Sequence, residues 1–108
     1  MNKMKNLNDL EKKINSELTT KIKNSQIKHN QLYLNIEHED LIDVISFLKT
    51  NKDTKFKQLI ELTAVDYPEN PQRFKIVYLL LSHEYNQRIL IDFYIHENEI
   101  INSITSIF

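Results

Sequence analysis

The chain has four histidines, His29, His38, His83 and His96, and these are its first candidates for metal binding or proton transfer. His38-Glu39-Asp40 clusters three possible ligands, but no two histidines have the helical or cysteine-framed spacing that zinc sites use. The triplet therefore reads as a polar strand-to-helix turn, and His83-Glu84 and His96-Glu97 as polar strand ends. Asp66 and its neighbour Tyr67 form a second candidate, a carboxylate and a phenol that could work with a histidine in a small hydrolase. No second carboxylate is placed to tune Asp66, and a lone acid does not make an acid–base pair. Its simpler role is to open the turn before Pro68. Ser82 lacks the glycine elbow of a nucleophilic serine. Ser103, Thr105 and Ser106 fit capping or turn positions. Arg73 and Arg88 are the only arginines, suited to surface ion pairs or to contact with a partner protein. The tyrosines have no basic groove around them in which to stack nucleic-acid bases. The residues thus predict no catalytic, cofactor or metal site in this chain.

The elements that carry these residues follow from periodicity. Leu7, Leu10, Ile14, Leu18 and Ile22 share one helical stripe, predicting a helix from Asn8 to about Ser25, capped by Asn8 with Glu11 three residues on. Leu32, Leu34 and Ile36 alternate with Tyr33 and Asn35, as in a half-buried strand. Leu41, Val44, Ile45 and Leu48 return to helical spacing up to Lys49. Phe56 and Leu59 suggest one helical turn. A strand follows from Ile60, with Ile60, Leu62 and Ala64 on one side. Both prolines fall in Asp66–Pro71, a firm loop. Ile76–Leu81 is apolar on both faces and reads as a central strand, so Val77→Asp is expected to unfold it. Ile89, Ile91, Phe93 and Ile95 alternate with Arg88, Asp92, Tyr94 and His96, and the short link before them predicts an antiparallel hairpin. The tail Ile100–Phe108 is apolar and short. The expectation is an α+β fold, a small, mostly antiparallel sheet with two helices on one face. Residues 1–30 form an N-terminal helix and linker, and 31–108 the α+β domain, within a single domain.

Composition narrows function further. With 108 residues and a formal charge of −1, nothing in the charge balance attracts nucleic acid or an anionic membrane. Cysteine is absent, which excludes disulfides, thiolate chemistry and cysteine-ligated clusters within this chain. Glycine is also absent, so there is no phosphate loop or dinucleotide fingerprint. The longest clean apolar run, Ile76–Leu81, is far short of the roughly 20 residues of a membrane span. The N-terminus lacks the apolar core of a secretory signal.

The order of motifs carries a resemblance. Phe56 and Leu59 stand before Leu62-Thr63-Ala64-Val65-Asp66-Tyr67-Pro68. Arg73-Phe74 leads into a strand with Val77, Tyr78, Leu80 and Ser82, and Asn86, Arg88, Ile89 and Ile91 follow. Ser103, Ile104, Thr105, Ile107 and Phe108 close the pattern. From about Leu32 onward this resembles the N-terminal half of the C subunit family of respiratory complex I, the proton-translocating NADH–quinone oxidoreductase. In that family an Asn-Trp and Glu-Arg-Glu helix follows, then Asp-x-x-Gly and His-Pro-x-Leu-x-Arg segments. This sequence stops before them, so the resemblance implies a fragment, a truncated frame or one half of a split subunit. It further implies a peripheral-arm scaffold that supports electron transfer from NADH to quinone without a cofactor of its own. Flavin mononucleotide and iron–sulfur clusters are expected on partner subunits, the D subunit is the main neighbour, and Asp66, Tyr67, Arg73 and Arg88 are the candidate interface residues. The implied location is peripheral, on the cytoplasmic face of the inner membrane, or the matrix side in mitochondria. A stand-alone interaction or dimerisation domain is the alternative.

Overall fold

A computed structural model describes residues 6–96. Helix α1 (Leu7–Glu17) is capped by Asn6, whose side-chain oxygen accepts the Asp9 N–H at 2.9 Å. The cap therefore lies two residues before the expected Asn8. The helix also stops well short of Ser25. Thr19 Oγ1 donates to the Asn15 carbonyl at 2.9 Å, competing with backbone bonding where the chain leaves the helix. The polar stretch beyond becomes strand β1 (Asn24–Lys28), which periodicity did not announce. Ser25 Oγ ties it to α1 by donating to Glu11 Oε2 at 2.7 Å and accepting Asn15 Nδ2 at 3.1 Å.

β1 turns into β2 (Gln31–Asn35) through His29-Asn30, both at positive φ (54° and 61°). A two-residue hairpin loop with two left-handed residues matches the twist of its strands. A short 3-10 turn (His38–Asp40) leads into α2 (Leu41–Thr50). The far end of α2 is closed by Thr54 Oγ1, which donates to the Leu48 carbonyl at 2.7 Å, and by the Phe56 N–H on the same oxygen at 2.8 Å. Phe56 is thereby buried in irregular chain, not in the expected helical turn, and Leu59 already belongs to β3 (Gln58–Asp66). β4 (Phe74–Ser82) and β5 (Gln87–Ile95) form the expected hairpin, paired from Phe74↔Ile95 to Ser82↔Gln87.

The sheet order is β1-β2-β5-β4-β3, antiparallel except for β2 beside β5. One face carries Leu32 and Leu34 of β2, Ile89, Ile91 and Phe93 of β5, and Ile76, Tyr78 and Leu80 of β4. It packs with Leu10 and Ile14 of α1 and Leu41, Val44, Ile45 and Leu48 of α2. This is the expected α+β arrangement, with both helices on one face. The other face has no helix among the described residues. Its rows run Asn35–Asp92–Val77–Thr63 and Tyr33–Leu90–Leu79–Glu61. Val77 is only half-buried there, opposite Asp92, so a charge at that position would not enter the core as the apolar run suggested. Residues Ile100–Phe108, with Ser103, Thr105 and Ser106, lie outside the described residues.

Candidate interface surface

Three of the four candidate residues meet at one corner of the sheet. β3 ends at Asp66, and Pro68 takes the second position of a turn in which the Asn70 N–H donates to the Tyr67 carbonyl at 3.0 Å. The Tyr67 N–H returns to the Arg73 carbonyl at 2.7 Å, carrying the β3–β4 ladder one pair beyond Asp66↔Phe74. Arg73 then grips Asp66 with two bonds, Nε to Oδ1 at 2.7 Å and Nη2 to Oδ2 at 3.0 Å. Those hydrogen bonds hold the Asp66 carboxyl below its usual range, so it is ionised at neutral pH. The carboxylate is engaged by a cation and held unprotonated, which suits a rigid corner better than a general acid. Its side chain thus goes to Arg73 and not to its own backbone, as a simple turn-opening role would have it.

Aromatic and cationic groups extend this corner. The Tyr67 and Tyr94 rings lie 6.3 Å apart, Arg73 stacks 5.3 Å from the Phe74 ring, and Lys75 sits 6.0 Å from Tyr94. His96 Nδ1 donates to the Pro71 carbonyl at 2.9 Å and pins the 66–73 loop to the end of β5. Tyr67 remains 40% exposed despite these neighbours, so much of its ring is available to a partner.

Arg88 does not join them. It lies at the start of β5 opposite Leu81, seven residues along β4 from Phe74, or about 24 Å at the usual strand rise. It borders an open depression with His29, Asn30, Tyr85 and Asn86. The histidines are spread likewise. His29 is in the β1–β2 turn, His83 hydrogen-bonds Gln58, and His38 lies beside Glu39. No cluster of three metal-ligating side chains occurs among the described residues. Ser82 is buried, and its Oγ accepts the Tyr85 N–H at 3.3 Å within the hairpin turn.

Sequence reasoning found the strand that leads into the corner but not its place at the rim of the sheet. β3 is one of the two edge strands of the sheet and is exposed along nearly its whole length. Leu62 is 54% exposed, Ile60 42% and Val65 38%. Leu62 pairs with Tyr78 and Ala64 with Ile76, so they stand on the core face of the sheet, beyond the reach of the helices. Ile60 is the extra residue of a bulge between Leu59 and Glu61. Apolar content alone marks this segment as a strand but cannot tell an edge from a centre.

Residues 34–108 match the family described as the 30 Kd subunit of respiratory-chain NADH dehydrogenase. The chain is 36% identical over 102 residues to the C subunit of the NADH-quinone oxidoreductase of Sinorhizobium medicae, covering 94% of this chain and 51% of that protein. It is 42% identical over 82 residues to the corresponding C subunit of Dinoroseobacter shibae, covering 76% of this chain and 38% of that protein. The chain therefore spans about half, or less, of the length of these relatives. A chain in the structure of an archaeal membrane-bound sulfane sulfur reductase, described as a respiratory membrane complex, superposes with a TM-score of 0.70. It is 17% identical over 84% of this chain and 51% of its own length, a likeness of fold.

Proposed function

This chain belongs to the family of the 30 Kd subunit of respiratory-chain NADH dehydrogenase, and from that premise we propose that it is a scaffold subunit without a cofactor of its own. It works in the peripheral arm of a proton-translocating NADH–quinone oxidoreductase. The match over residues 34–108 carries this reading. The chain holds companion subunits in register, the D subunit above all, while flavin mononucleotide and iron–sulfur clusters on those companions move electrons from NADH to quinone. Within one structural unit, the N-terminal segment expected as helix and linker adds α1 and the edge strand β1 to the sheet formed by β2–β5. Asp66, Tyr67 and Arg73 form one contact corner and Arg88 a separate contact at the opposite end. No helix among the described residues is long and apolar enough to cross a membrane. In this reading the subunit sits peripherally, on the cytoplasmic face of the inner membrane or the matrix side in mitochondria.

The geometry supports a scaffold. The corner is stiffened by a bidentate ion pair, a proline turn and a histidine bond, yet leaves Tyr67 exposed. Such a feature presents shape with little entropy left to lose on binding.

The test is co-purification from the native host by a tag on this chain. The expected eluate oxidises NADH with a quinone acceptor and contains flavin and iron–sulfur signals, which the chain expressed alone lacks. A tagged chain recovered free of any NADH-oxidising assembly refutes the reading. Arg88→Glu is expected to leave the fold intact and weaken assembly. Unchanged assembly removes Arg88 from the interface.

A further inference from the structure

The two edges of the sheet are built differently. β1 is five residues long, largely polar, and tied to α1 through Ser25. Short, polar, anchored edges resist pairing with other chains. β3 is nine residues long and rich in apolar residues, and contains no lysine, arginine or proline. Its hydrogen-bonding direction can be read from the ladder. The Tyr67 N–H bonds to Arg73, and pairing alternates along an antiparallel ladder, so Val65 and Thr63 also face β4. Leu62 and Ala64 therefore turn their N–H and C=O groups outward, where no strand lies among the described residues. The residues with open backbone groups also have open side chains on the core face of the sheet.

We propose that this edge receives an extended segment of a companion subunit, which adds as a sixth strand. The segment places apolar residues opposite Leu62 and Ala64, and a lysine or arginine opposite Glu61. Glu61 decides the charge. It is exposed on the other face, its carboxylate accepts a hydrogen bond from Thr63 Oγ1 at 3.4 Å, and it has no cationic partner among the described residues. Pairing of β3 with the β3 of a second copy cannot supply that cation, because the strand carries only Glu61 and Asp66 as charged residues. Two-fold pairing of β3 with itself would also put both sets of helices on one side of a continuous sheet and leave Leu62 uncovered between them. A basic, alternating segment from another chain satisfies the backbone groups, the apolar side chains and the carboxylate together. The proposal rests on the subunit reading for the donor's identity as a companion subunit. The chemistry of the docked strand rests on the edge alone.

The probe is the peptide acetyl-Thr-Val-Thr-Ile-Lys-Val-Thr-Ile-Thr-amide, with a second version carrying Glu in place of Lys, each added to the full chain. The isolated chain is expected to be monomeric by light scattering, with fast amide exchange at Leu62 and Ala64. The lysine peptide should slow exchange at both positions at least about tenfold and bind about fivefold more tightly than the glutamate peptide. Glu61→Lys, at an exposed position, should reverse that preference. Unchanged exchange at saturating peptide, or a preference that does not reverse, overturns the proposal. So does a dimer that protects β3, which assigns the edge to a second copy, or protection already present in the monomer, which assigns it to the chain itself. In the purified assembly, residues 58–66 should exchange more slowly than in the isolated chain. Co-purification without that slowing defeats the edge proposal and leaves the subunit reading standing. Peptide capture without co-purification overturns the donor's identity as a companion subunit and supports the chemistry of the docked strand.

Discussion

Ile91 and Leu62 are aliphatic residues on the same face of one sheet, and truncating each to alanine should have very different effects. Ile91 is fully buried in β5, flanked by Leu34 of β2 on one side and Tyr78 of β4 on the other. Both neighbours are held by their own ladders, so the space left by Ile91→Ala cannot collapse. Truncations of this kind cost about 2–5 kcal/mol, and the confinement places this one near 4 kcal/mol. Leu62 has neighbours on one side only and is 54% exposed, so Leu62→Ala forfeits less than half of a leucine's burial and leaves no cavity, about 1 kcal/mol. A chain of this size has a total stability on the order of 5–15 kcal/mol, so both variants remain folded in buffer. In urea unfolding with a slope of about 1.5 kcal/mol/M, Ile91→Ala lowers the midpoint by about 2.5 M and Leu62→Ala by under about 1 M, with slopes unchanged. Equal shifts, or a larger one for Leu62→Ala, would mean that β3 is not the open edge and β5 not the centre.

Three further outcomes follow from the same geometry. Val77→Asp should fold and melt cooperatively, losing about 1–2 kcal/mol from partial desolvation and its position opposite Asp92; a variant that is unfolded in buffer would place Val77 in the core after all. Replacing His29-Asn30 with Asn-Gly should raise the melting temperature by about 4 °C, because both positions are left-handed and glycine adopts that region freely; no gain would refute the turn geometry. Asp66 has a folded pKa below its unfolded value, so its contribution is present above about pH 4 and fades as pH falls through the folded value. In Arg73→Gln, carbon-detected NMR should find the Asp66 titration moved up toward the ordinary value of about 3.9; an unmoved titration would show that Arg73 is not the cause.

Much of the fold was legible because its main signals are local. β5 alternates cleanly, and Ile89, Ile91, Phe93 and Ile95 are all buried on one face as that period requires. α2 was legible for the same reason. β1 was not, because Asn24–Lys28 contains one aliphatic residue and its turn uses His29-Asn30 in a chain without glycine, the residue that most often marks such a hairpin. Ile22 continued the α1 stripe on paper, but the helix ends at Glu17, and Thr19 Oγ1 donates to the Asn15 carbonyl just beyond it. The corner was half legible. Asp66, Tyr67 and Arg73 lie within one short stretch around a proline turn, so their meeting is a short-range event. Arg88 was grouped with them by family resemblance, and strand direction carries it to the other end.

The topology explains why the apolar surface ends up at β3. β2 leads through α2 to β3, and β3 runs parallel to β2 with space for two strands between them. The β4–β5 hairpin then folds back into that space, and β5 pairs with β2. The strand laid down before the hairpin is thereby pushed to the rim. The core residues of α1 and α2 pack on β2, β5 and β4, leaving Leu62 with no helix above it among the described residues. A domain that needed only its own stability would place charged or short residues at such a rim, as β1 does. Keeping an exposed, largely apolar strand there risks aggregation unless another chain covers it. The same strand ends at a corner locked by Arg73 and Asp66, so edge and corner form one continuous surface. The proposed scaffold role would use this combination, a rigid register mark beside an edge left open among the described residues.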